Sequence, residues 1–214
     1  MSKFKSILIA GAALVAFGSA ASAAEQNTII NKLQQNLGVV YSELRLYTGW
    51  IGGDLRATSA AIGNNFSVTA EGRTWFQNTQ RQMADVGATL KGYVKGVDGD
   101  VDLSAVGICN NASLNQSNGH AAAHNDQRCM TTDPYAVVNV DLGTIGGDTT
   151  ITGAAIANNL SITAQGSSLE AVNWAQANAA GVYSNVTANV GTAVGDVSVT
   201  AAAIGNNISI THGF

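Results

Sequence analysis

The chain has 214 residues, of which 46% are apolar, 6% aromatic and only 11% charged, with 24 glycines, 20 asparagines and a single proline. An average globular domain carries about 25% charged residues, so this is unlike an ordinary soluble enzyme, yet it is too apolar for a disordered chain and too poor in proline for collagen. A formal net charge of −4 gives no electrostatic reason to expect nucleic acid as a partner.

In chain order, residues 1–23 have the layout of a secretory signal peptide. Lys3 and Lys5 precede an apolar run from Ile7 to Phe17, and Ala21-Ser22-Ala23 is a small-x-small cleavage site. The run is shorter than the roughly 20 residues of a spanning helix. Its removal would leave 8 basic and 14 acidic residues, a net charge of −6. Residues 24–52 then read as an N-terminal cap or first strands, with a short helix predicted from the spacing of Ile29, Ile30, Leu33 and Leu37.

Residues 53–214 hold four copies of one segment. They read GDLRATSAAIGNNFSVTA from Gly53, GDVDLSAVGICNNASLNQ from Gly99, GDTTITGAAIANNLSITA from Gly147 and GDVSVTAAAIGNNISITH from Gly195, with starts 46, 48 and 48 residues apart. This divides the region into 53–98, 99–146, 147–194 and 195–214. Apolar and polar residues alternate, as in Asn207-Ile208-Ser209-Ile210-Thr211, which is the pattern of a half-buried strand. The pairs Gly53-Asp54, Gly99-Asp100, Gly147-Asp148 and Gly195-Asp196 read as turns, as do the Asn-Asn pairs. The intervening linkers look like weaker copies, which makes a half-repeat of about 24 residues a candidate working unit.

A strand pair of this size cannot bury its apolar face alone, but stacked copies can, with the Ala-Ala-Ile residues closing an interior. Stacking brings identical residues into columns: Asn64/Asn65, Asn110/Asn111, Asn158/Asn159 and Asn206/Asn207 would form amide ladders. Like charges stacked at strand spacing repel, which accounts for the shortage of charge. The aspartate column at 54, 100, 148 and 196 fits turns better than calcium, because calcium-binding β-rolls use a much shorter tandem spacing. The six Asn-x-Ser/Thr triplets follow mostly from the repeat, so a ladder role explains them better than glycosylation does. The predicted fold is an all-β, β-solenoid-like stack.

Residues 116–134 read as an insertion into the second copy, pinned by a disulfide between Cys109 and Cys129, which suits an exported chain. A metal site using these cysteines with His120 and His124 is the alternative. Trp75 and Trp174 occupy related places in two linkers and read as packing residues rather than sugar platforms. No nucleophile elbow, phosphate loop or carboxylate pair is present, so the sequence predicts neither an enzyme nor a cofactor.

The segment Ile62-Gly63-Asn64-Asn65-Phe66-Ser67-Val68-Thr69-Ala70-Glu71-Gly72 resembles the curlin repeat, and the resemblance covers the chain from about residue 40 onward. Curlins are secreted bacterial fibre subunits, and similar proteins occur in the holdfast-anchoring apparatus of stalked bacteria. The resemblance implies a Gram-negative surface protein, exported through the periplasm and an outer-membrane secretion apparatus, that joins copies of itself or other fibre subunits. Ile208, Ile210 and Phe214 would line the self-association edge. The alternative is an outer-membrane β-barrel closed by that C-terminal strand.

Overall fold

The computed structural model describes residues 6–14, 28–130, 133–179 and 181–213. The described residues are all-β and form ten strands: β1 (Ser6–Leu14), β2 (Thr28–Asn36), β3 (Val40–Ile51), β4 (Asp54–Gln82), β5 (Val86–Val97), β6 (Val101–Cys129), β7 (Tyr135–Ile145), β8 (Thr149–Asn178), β9 (Tyr183–Ala193) and β10 (Val197–Gly213). One sheet has the order β1-β4-β6-β8-β10, with β2 also on β4, and the other has the order β3-β5-β7-β9. Every pairing is parallel.

Parallel neighbours normally need a long crossover, and here the crossover is the strand of the opposite sheet. The chain runs along β4, crosses to β5, and returns beside β4 as β6. Leu55 therefore meets Val101, Ile62 meets Ile108, and Asn64 meets Asn110. The pairing offset is the sequence repeat itself. The half-repeat is not the stacking unit, since described strands pair one whole repeat apart.

The long strands β4, β6 and β8 each bend twice. Up to the first bend the odd residues Leu55, Ala57, Ser59 and Ala61 point inward, and after it the even residues Phe66, Val68 and Ala70 do. Two consecutive inward positions, Gly63 and Asn64, make this change of phase, and it repeats at Cys109-Asn110 and Ala157-Asn158. The Asn-Asn pairs are therefore corners within paired strands rather than loops between strands. The same phase puts Ala61 and Ala155 inside and leaves Ile62, Ile108 and Ile156 only partly covered, so the isoleucines do not close the interior.

The second bend uses left-handed backbone at Gly72 (φ 83°), Gly119 (φ 93°) and Gly166 (φ 59°). The register slips by one residue there between β4 and β6, with Asn118 (φ 57°) as the additional residue. A second slip between β6 and β8 follows Ala123. The first slip takes the pairing offset from 46 to 47 residues and the second takes it from 48 to 49, without disturbing the columns on either side.

Two apolar cores result. One fills the space between β3, β5, β7 and the first legs of the long strands, with Leu90, Leu103, Val138, Ile145 and Ile151 fully enclosed. The other lies between the two legs of the long strands and contains Phe66 stacked on Phe76 at 5.6 Å, with Leu114, Leu160 and Ile162.

Four expectations are corrected. Residues 28–36 form a strand paired with Thr74–Gln82 instead of a helix, because the free edge of β4 satisfies the backbone of β2 along its whole length. Residues 116–129 are not a separate insertion, since apart from the single extra residue Asn118 they continue β6 into its second leg, paired on both sides. Two open, parallel sheets replace the antiparallel closed barrel, whose strands must alternate in direction. Trp75 and Trp174 are not equivalent, since Trp75 aligns with Ala122 and Trp174 with Asn125. Within the expected leader, Ser6–Leu14 pairs with Asp54–Ile62 as β1, and the rest of residues 1–23 lies outside the described residues.

Candidate functional site

The corner of each long strand places one asparagine inside and the next outside, and each set forms a ladder. On the inner line Asn64 Nδ2 donates to Asn110 Oδ1 at 2.8 Å, Asn110 to Asn158 at 2.7 Å and Asn158 to Asn206 at 2.7 Å. On the outer line the direction reverses: Asn111 donates to Asn65, Asn159 to Asn111 and Asn207 to Asn159, each at 2.7 Å. An amide has one donor end and one acceptor end, so a column of amides must choose a direction. Adjacent columns of opposite direction cancel their dipoles.

A glutamine ladder faces the inner asparagines. Gln80 donates to Gln34 at 2.8 Å, Gln127 to Gln80 at 2.8 Å and Gln176 to Gln127 at 2.7 Å. Each glutamine also donates across the interior to the carbonyl of an outer asparagine: Gln34 to Asn65, Gln80 to Asn111, Gln127 to Asn159 and Gln176 to Asn207. Asn78 adds a bond to Asn125 at 2.8 Å. Sequence reasoning missed this column because its members sit in the divergent halves of the repeat, at spacings of 46, 47 and 49 that the bulges make uneven. The interior is thus crossed by a polar wall whose members bond through the stack, which is how buried amides avoid the cost of desolvation.

The Gly-Asp pairs have a related logic. Asp54 Oδ1 accepts the backbone N–H of Asp100 at 3.1 Å, Asp100 that of Asp148 at 2.9 Å, and Asp148 that of Asp196 at 2.9 Å. Each carboxylate occupies the space where a side chain on Gly99, Gly147 or Gly195 would project. Glycine beside aspartate is therefore a packing requirement between one repeat and the next.

Cys109 and Cys129 are bonded to each other, with Cα atoms 6.0 Å apart, and both are fully buried. They tie the corner of β6 to the end of its second leg, where β4 has Gly63 against Gln82. The sulfurs are therefore committed to the bridge and not to a metal. Among the histidines, His120 Nδ1 lies 2.8 Å from Ser168 Oγ and its Nε2 lies 3.7 Å from Glu170. Residues Ile29, Arg73, Trp75, His120 and Glu170 border a shallow cavity of about 380 Å³.

The outer face of β3 and β5 carries Tyr41, Tyr47, Trp50 and Tyr93, all exposed, among Glu43, Arg45 and Lys91. Arg45 donates to Glu43 at 2.7 Å and holds its carboxyl below the usual range, while burial pushes the Tyr135 phenol up. At the β10 side, Val199, Ile208 and Ile210 are 46–48% exposed although they continue columns whose earlier members, Ile151, Leu160 and Ile162, are buried. Phe214 lies outside the described residues.

A family model described as HfaD, holdfast attachment protein D, matches residues 10–213. The chain belongs to the holdfast attachment protein D family. Membership makes it a bacterial cell-surface protein with a role in attachment. No curated protein and no solved structure matches it.

Proposed function

We propose that the chain is a non-catalytic structural subunit of the holdfast-attachment apparatus. Each repeat of 46 to 48 residues forms one coil of a β-solenoid, and the coiled molecule joins copies of itself or other surface-fibre subunits in a curli-like fibre or anchor. A cleaved leader takes it to the periplasm, and an outer-membrane secretion apparatus delivers it to the surface.

The observation that carries this reading is the in-register parallel stacking of the repeats, with identical asparagines bonded from Asn64 to Asn206 and from Asn207 back to Asn65. A tether must transmit load without unravelling. Backbone bonds between neighbouring coils, reinforced by side-chain ladders, spread the load over many residues at once. A mainly uncharged surface permits close approach of further coils.

The test is to purify the exported protein and hold it in plain buffer. Filaments with a reflection at about 4.7–4.8 Å along their axis are expected. A protein soluble only in detergent, with heat-modifiable gel migration, would overturn the proposal.

A further inference from the structure

We infer that two copies join head to tail through a stepped seam. In this seam β10 of one copy pairs with the Asp54–Ala70 leg of β4 in the next, while β2 and β3 of that next copy pair with the second leg of β8 and with β9 of the first. This rests on the stacking reading above and adds which surfaces meet, in which register and with which polarity.

The two ends have complementary outlines. At one end β10 covers Thr149–Gln165 of β8, and the second leg of β8 and the whole of β9 have no further neighbour among the described residues. At the other end β2 covers Thr74–Gln82 and β3 covers Val86–Val97, while on the side away from β6 the first leg of β4 pairs, among the described residues, with β1 alone, which falls within the expected leader. Without the leader, one end projects by the half-coil that the other end lacks. The apolar columns also match: Val199, Ile208 and Ile210 would meet Ala57, Phe66 and Val68 of the next copy.

Hydrogen-bond polarity sets the direction. Asn206 has its Oδ1 engaged by Asn158 and presents its Nδ2, whereas Asn64 has its Nδ2 engaged by Asn110 and presents its Oδ1. The outer line offers the reverse, with Asn207 presenting Oδ1 and Asn65 presenting Nδ2. Each donor faces an acceptor across the seam. Gln176 Oε1 is buried without a partner, at the place where the next glutamine of its column, Gln34 of the second copy, would bring its amide.

Charge agrees with this order. Every lysine and arginine outside the leader lies between Lys32 and Arg128, while residues 129–214 carry five acids and no lysine or arginine. Head-to-tail contact sets Lys32 and Arg45 of one copy over the cation-free β8 and β9 of the other.

The serine column Ser67, Ser113, Ser161 and Ser209 gives the test. Parallel neighbours lie about 4.8 Å apart, inside the Cα range of a disulfide, but within one molecule Ser67 and Ser209 are three coils apart. Exported protein carrying Ser67→Cys with Ser209→Cys should give a reducible ladder of dimers, trimers and longer species, and neither single variant should. Dimers from Ser209→Cys alone would indicate a two-fold contact and overturn the seam. Filaments without cross-links would also overturn it while sparing the stacking reading, and an unsubstituted protein that never self-associates would overturn both.

As a second measurement, Asn206→Asp keeps the acceptor for Asn158 but removes the outward donor. Assembly should fall at least tenfold with an unchanged far-ultraviolet circular dichroism spectrum. Unchanged assembly would overturn the inferred polarity.

Discussion

A buried asparagine is costly unless both ends of its amide are bonded. Asn110 meets this condition by accepting from Asn64 and donating to Asn158, and it is fully enclosed. Truncating it to alanine strands a donor on Asn64 and an acceptor on Asn158. At about 1–3 kcal/mol for each stranded group, Asn110→Ala should destabilise the fold by about 2–6 kcal/mol. Asn206→Ala should cost only about 1 kcal/mol, because Asn206 is exposed and strands one group. The comparison is read from urea midpoints, and a midpoint for Asn110→Ala at or above that of Asn206→Ala would contradict the ladder as a source of stability. The Gly-Asp columns work at the same scale: an aligned row of carboxylates is tolerable because Asp54, Asp100 and Asp148 each accept a backbone N–H of the next repeat.

At the scale of the element, the long strand bent at two corners is the unit that the sequence showed least clearly. Alternation marks a strand on either side of Gly63-Asn64, and the all-β class was legible from it. The corner itself reverses which residues face inward, so an unbroken alternation puts Ile62 inside when Ala61 is the buried residue. The asparagine pairs recur inside a motif whose neighbouring residues also repeat, at spacings of 46, 48 and 48, and are easily aligned by eye. The glutamine column is not, because Asn118 and the slip after Ala123 fall between its members. The disulfide belongs to this scale too, because it joins the two legs of β6 at the place occupied by Gly63 and Gln82 in β4 and by Ala157 and Asn178 in β8. Replacing Cys109 with alanine and Cys129 with asparagine copies the β8 pair into β6. The stack should keep its strand content by circular dichroism while losing about 3 kcal/mol of stability, the chain-entropy value for a loop of this length. A variant that loses its strand content altogether would show that the bridge is needed for folding and not only for stability.

At the scale of the whole molecule, a parallel stack has two unlike ends, each with an open edge. Natural sheets commonly guard such edges with lysine, proline or bulges. The described β10 carries no lysine, arginine, aspartate or glutamate and no proline, and its apolar residues Ile208 and Ile210 stand about half exposed. An edge this unguarded invites pairing. Placing Lys at both positions (Ile208→Lys with Ile210→Lys) supplies the missing guard on the last coil, leaving the buried columns of Leu160 and Ile162 in place beneath it. The purified variant should remain folded and elute as a monomer in light-scattering chromatography, where the unsubstituted protein is expected to form larger species. Mixed with the unsubstituted protein at substoichiometric ratio, it should still dock through its intact β2–β3–β4 end and then terminate growth, shortening filaments in proportion to its share. Filaments of unchanged length would mean that growth does not pass through β10. Loss of filaments only at equimolar ratio would point instead to simple dilution of a non-directional assembly.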